Sequence, residues 1–130
     1  MLRAYLRLSG ADRRLVWEAF ALVAAMRIAL RTTTFEAVRR LALRLEKPKA
    51  SAASPERIAW AVEAAGRRIP GATCLAKALA ARVMLGRRGL ESRLKLGVAR
   101  EGEGITAHAW VEHAGRVVVG ASALEYAPLT

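Results

Sequence analysis

Apolar residues recur at helical spacing up to about residue 86 and at alternate positions after it. The first strong helical pattern covers 11–31, where Leu15, Ala19, Leu22, Val23, Met26, Ala29 and Leu30 mark one face. The other face is also apolar at Val16, Trp17, Phe20 and Ile28, and only Glu18 and Arg27 interrupt the pattern internally. Apolar character on both sides fits a core helix, a partner-binding helix or a membrane-surface helix, with core or partner contact preferred. The stretch is too short and too interrupted to span a bilayer, and no small-residue cleavage site marks a signal peptide. Thr33-Thr34-Phe35-Glu36 reads as a capping box with Thr33 as N-cap, opening a helix that runs to about Lys47. Phe35, Val38, Leu41, Ala42 and Leu45 form its apolar face, and Arg39, Arg40 and Arg44 cover the other side.

Ser54-Pro55 supplies an N-cap and a first-turn proline for a third helix. That helix buries Ile58, Ala61, Val62 and Ala65, and Gly66 is expected to end it in the left-handed conformation. Pro70-Gly71 is a turn signal, Thr73 a cap, and Cys74 to about Leu85 a fourth helix with Leu75, Ala78, Leu79, the Arg82 stem and Leu85 on one face. Gly86-Arg87-Arg88-Gly89 stops it, and the period then changes to two. Strands are expected over 92–99, 105–112 and 116–119, with a turn at 101–104 and a three-residue loop, His113-Ala114-Gly115. Four helices followed by an antiparallel meander make an α+β fold. The organisation read from this is an N-terminal helical segment at 1–48, a linker at 49–54 and a core at 55–130.

One hundred and thirty residues suit one domain, and 54% hydrophobic with 25% charged residues excludes disorder. A single cysteine excludes an internal disulfide and a multi-cysteine metal site, and permits a reducing compartment. Two histidines without ligand-spaced carboxylates leave no expected metal centre, and no cofactor is expected. The net charge of +11 attracts nucleic acid, anionic membrane or acidic peptide without choosing among them. The basic pairs Arg13-Arg14, Arg39-Arg40, Arg67-Arg68 and Arg87-Arg88 are scattered over helices with few aromatics between them. They read as a solvated face rather than a nucleic-acid platform, so no nucleic-acid partner is expected.

The candidate chemistry lies in two places. Cys74 stands in the first turn of its helix, where the helix dipole favours thiolate. His108 stands on the second strand, sharing a face with Trp110 and Glu112. A lone cysteine is most often a small buried hydrophobe, and a histidine beside a tryptophan is most often structural. Together they offer a nucleophile and a base. Glu112 cannot orient His108, because four extended residues separate them by roughly 13 Å at about 3.3 Å per residue. The three-residue loop would pair Glu112 with Arg116, Trp110 with Val118 and His108 with Gly120. Whatever orients His108 is therefore expected near Gly120, Ala121 or Ser122, with Ser122 or a folded-back Glu125 as candidates.

Five strings carry a resemblance: Cys74-Leu75-Ala76-Lys77-Ala78-Leu79-Ala80, Leu85-Gly86-Arg87-Arg88-Gly89, Leu96-Gly97-Val98, Ala107-His108-Ala109-Trp110-Val111-Glu112, and Tyr126-Ala127-Pro128-Leu129. In that order and spacing, over about 55–130, the chain resembles the transglutaminase-like leader peptidases of lasso-peptide biosynthesis, the protease half of a split maturation protein. The histidine–tryptophan string is shared by many transglutaminase-like proteins, whereas its combination with the cysteine helix and the Tyr-x-Pro-Leu ending is more selective. The resemblance implies a papain-like cysteine peptidase core that removes the leader from a ribosomally made precursor peptide. Cys74 corresponds to the nucleophile and His108 to the general base. The Cys74 amide is the natural oxyanion donor, and Trp110 packs beneath the site or contacts substrate. The family's third member, an aspartate on the following strand, falls at Gly120, where this chain departs from the pattern. Implied partners are the precursor's leader region, a small leader-recognition protein and the ATP-dependent lasso cyclase, in the cytoplasm. The competing readings are a catalytically silent module of the same fold that holds a peptide or partner, and a basic nucleic-acid-binding protein.

Overall fold

A computed structural model describes residues 6–46, 52–120 and 127–128. Four helices precede the sheet: α1 Gly10–Thr32, α2 Phe35–Leu45, α3 Pro55–Arg68 and α4 Cys74–Gly86. The strands are β1 Arg93–Glu101, β2 Gly104–His113, β3 Arg116–Val119 and the short β4 Ala127–Pro128. The sheet is antiparallel with the order β3-β2-β1-β4, so the meander gains a fourth strand on its β1 edge. The α+β class read from the change of period is the architecture found.

Helix α4 is the centre of the molecule. Ala76, Ala78, Leu79, Ala80, Ala81, Val83, Met84 and Leu85 are all buried, so apolar contact surrounds it rather than following one stripe. Small alanines let its neighbours approach closely, and α1, α2, α3 and β2 all pack against it. One continuous core joins Leu15, Ala19, Val23 and Met26 of α1 to Ile58 and Val62 of α3 and to Ala109, Val111 and Val119 of the sheet. Helix α1 thus turns one face inward, while Trp17 and Ile28 on its other face are 63% and 58% exposed. Among the described residues no helix is long and apolar enough to cross a membrane.

The caps explain where the helices begin. Ser54 Oγ accepts from the Arg57 amide with Pro55 in the first turn, and Thr73 Oγ1 accepts from the Ala76 amide, each at 3.1 Å. At the start of α2 the N-cap is Thr34 rather than Thr33: Thr34 Oγ1 accepts from the Ala37 amide at 3.2 Å. Thr33 instead closes α1, its amide donating to the Ala29 carbonyl. Glu36 pairs with Arg39 in place of completing a capping box. On α2 only Val38 and Ala42 are buried, and Leu41 and Leu45 of the expected apolar face are exposed.

Gly66 does not end α3. The helix continues to Arg68, and a Cβ at Gly66 would sit 2.5 Å from Lys77 Cδ. Glycine there makes room for the Lys77 stem, whose ammonium reaches Glu63 at 3.3 Å. The expected linker lies in part outside the described residues; Ser54, at its end, caps α3.

Candidate active site

Cys74 is the first residue of α4, half-buried and packed against the core. The turn that delivers it uses Gly71 with φ +74, a conformation glycine adopts without strain. Arg27 of α1 packs on that glycine: an added Cβ would lie 2.7 Å from its Nη2 and 2.8 Å from its Nε. No residue pattern marks this contact, which sets a guanidinium from α1 against the loop before Cys74. The Arg27 Nε is buried without a hydrogen-bond partner among the described residues. Beyond the turn, Thr73 caps the Ala76 amide and accepts from the Lys77 amide through its carbonyl. The amides of Cys74 and Leu75 have no partner within the helix, as in any first turn. A helix start carries about half a positive elementary charge.

His108 lies on β2, opposite Gly97 of β1. Ala109 and Val111 point into the core, and His108, Trp110 and Glu112 alternate with them and are half-buried. The three form a chain of contacts. The His108 and Trp110 rings stack at a centroid separation of 6.2 Å with planes 18° apart, and Trp110 Nε1 donates to Glu112 Oε2 at 2.8 Å. Glu112 therefore holds Trp110. Helix α4, which begins at Cys74, packs against β2, which carries His108.

The hairpin after β2 differs from the expected register. His113 pairs with Arg116, so the loop is the two residues Ala114-Gly115 and not three. Both have positive φ, 52 and 77, as a type I′ turn requires. A bulge then leaves Val118 as the extra residue, with Glu112 opposite Val117 and Val111 opposite Val119. Gly120 consequently lies beside Ala109 and Trp110, where an added Cβ would come within 2.7 Å of the Ala109 oxygen and 3.0 Å of the Trp110 Cα. It is not the backbone partner of His108. The His108 ring nonetheless reaches it, with Nε2 2.5 Å from the Gly120 carbonyl oxygen. Ser122 and Glu125, the candidate orienting groups, lie outside the described residues, as do Tyr126 and Leu129.

Elsewhere, the paired arginines are not all solvated. Arg87 Nη1 and Arg88 Nη2 each approach Glu18 of α1 at 2.6 Å, and the Arg88 side chain is 6% exposed. Arg82 and Glu46 form a half-buried ion pair at 3.0 Å, and burial pushes the Glu46 carboxyl up while Arg82 partly offsets it. Among the described residues, open clefts lie near the hairpin and the α4–β1 turn, at Glu91–Arg93, Pro55–His113 and Glu46–Arg82, and neither Cys74 nor His108 lines these. Among the described residues, no three His, Cys, Asp or Glu side chains gather as a metal site would need.

The family model described as the transglutaminase-like superfamily matches residues 19–130, from the middle of α1 to the end of the chain. Comparison with curated proteins and with solved structures gives no match.

Proposed function

The chain belongs to the transglutaminase-like superfamily, and from that footing we propose that it is a cysteine peptidase that removes the leader from a ribosomally made lasso-peptide precursor. The observation that carries the reading is the position of the only cysteine at the first residue of a capped helix that packs on the strand bearing His108. The narrower assignment to leader removal rests on the cysteine-helix, histidine–tryptophan and Tyr126-x-Pro128-Leu129 strings taken together.

The chemistry follows from those positions. The Cys74 thiolate attacks the carbonyl that joins leader to core, and the Cys74 amide at the helix start faces the developing oxyanion. His108 accepts the thiol proton and returns it to the leaving amine, forming a thioester to the leader. Water, deprotonated by His108, hydrolyses that thioester and frees the thiol. Trp110 supports the His108 ring in this reading. The precursor is presented by a small leader-recognition protein and its core passes to the ATP-dependent cyclase, both working with this chain in the cytoplasm. The basic surface of the chain suits an acidic leader or partner.

A second reading is favoured by one observation: no carboxylate side chain stands at position 120, so the same fold would serve as a silent module that holds a peptide. Incubation of a lasso precursor with its leader-recognition protein separates the two. The peptidase reading expects a single cut between leader and core by the wild type and none by Cys74→Ala. An intact precursor with the wild type, or equal cutting by Cys74→Ala, overturns it.

A further inference from the structure

Building on the reading of His108 as the general base, we infer that the backbone carbonyl of Gly120 positions its ring, in the role that an aspartate side chain fills in the peptidases the chain resembles. A carbonyl oxygen only accepts, so the 2.5 Å contact requires the proton on Nε2. Neutral His108 then carries its lone pair on Nδ1, and in the peptidase reading that nitrogen takes the thiol proton. The carbonyl fixes the ring's rotation from its edge, and Trp110, itself held by Glu112, bears on its face. The edge contact from the Gly120 carbonyl and the neighbouring Trp110 ring both bear on the orientation of the imidazole.

Glycine is what permits this. Gly120 has φ +91, and the atoms an added Cβ would meet are largely backbone, the Ala109 oxygen at 2.7 Å and the Trp110 Cα at 3.0 Å. Backbone in a paired strand does not swing aside as a long side chain does. Any side chain at position 120, aspartate included, therefore turns this peptide away from His108 or displaces the strand. The bare main chain at Gly120 and the carbonyl contact are one feature: the absence of a side chain is what lets the main chain come close. A carbonyl is neutral, so it orients the imidazole and selects its tautomer but lends the imidazolium only a dipole.

The test is NMR of the full chain with ¹⁵N-histidine and ¹³C-carbonyl glycine. The expected spectrum shows neutral His108 protonated at Nε2, with a scalar coupling across the hydrogen bond to the Gly120 carbonyl carbon. Protonation at Nδ1, or no coupling, overturns the inference. In Gly120→Ala, with cooperative unfolding confirmed, kcat for precursor cleavage should fall roughly tenfold to a hundredfold with KM unchanged. An unchanged kcat also overturns it. If that variant does not fold, the wild-type spectrum decides alone. Cleavage without coupling defeats the positioning role and leaves the peptidase reading standing. Coupling without cleavage defeats the peptidase reading, and the catalytic meaning of the contact with it.

Discussion

Arg88 Nη1 and Nη2 grip the two carboxylate oxygens of Glu18, at 3.3 and 2.6 Å, across 70 residues of sequence. Arg87 adds a third contact at 2.6 Å, so the middle of α1 is bound to the end of the helix that starts at Cys74. Arg88 Nη1 also donates to the Met84 carbonyl, while its buried Nε has no hydrogen-bond partner among the described residues. Glu18→Ala strands that cation, and removal of one partner from a buried pair costs about 3 kcal/mol. Urea unfolding should show this as a lowered midpoint with an unchanged slope. A midpoint within error of the wild type would mean that the triad holds nothing together.

The cap on the cysteine helix is a second point of leverage. Thr73→Ala leaves the Ala76 amide without its side-chain acceptor and should lower stability by about 1 kcal/mol. Thr73→Ser keeps the hydroxyl and should restore most of the loss. The same pair of variants, compared by precursor cleavage, reports whether the first turn also serves the chemistry.

Gly66→Ala should leave stability unchanged or raise it by up to about 1 kcal/mol, since alanine is the better residue inside a helix. The added methyl meets the Lys77 stem, which can move. What is given up is the half-buried Lys77–Glu63 pair, worth about 1 kcal/mol. A loss well beyond 1 kcal/mol would show that glycine is needed there for its backbone, as a helix terminator is.

Glu46 sets a pH dependence. Burial raises its carboxyl above the ordinary value of 4.5, so the folded state binds the proton more tightly than the unfolded chain does. Its protonation therefore stabilises the fold below that value, and the contribution is lost as pH rises through the folded-state value. Glu46→Gln removes this term. The stability of the wild type relative to Glu46→Gln should decline as pH rises from about 4 towards neutrality, followed by urea midpoints at each pH. The opposite slope would mean that Arg82 outweighs burial.

What could be read from the sequence was local. Ser54-Pro55 and Thr73 announce their helices because a cap needs only the next three residues. Thr33 and Thr34 are equally good caps by composition, and the choice falls to Thr34 because α1 extends far enough to take Thr33 as its own end. Gly66 resembles a helix stop until the Lys77 stem, which needs the space, is brought in by tertiary packing. The hairpin register was hidden by Ala114, a residue that seldom adopts positive φ, and by a bulge that no residue type marks. Glu18 with Arg87 and Arg88, and Arg27 with Gly71, are contacts between distant segments. Charge patterning along the chain could not distinguish those arginines from a solvated face. Cys74 and His108 stood out because their residue types are rare in this chain, whereas the Gly120 carbonyl is main chain and has no sequence signature.

Whether Cys74 and His108 work as a pair is decided by the alkylation rate of the single cysteine with iodoacetamide at about pH 6. Intact mass reads it without ambiguity, because the chain has only one thiol. Folded wild type should react at least roughly tenfold faster than the same chain in urea, despite its partial burial, and His108→Ala should lose this advantage. Equal or slower reaction in the fold, indifferent to His108, would contradict the pairing.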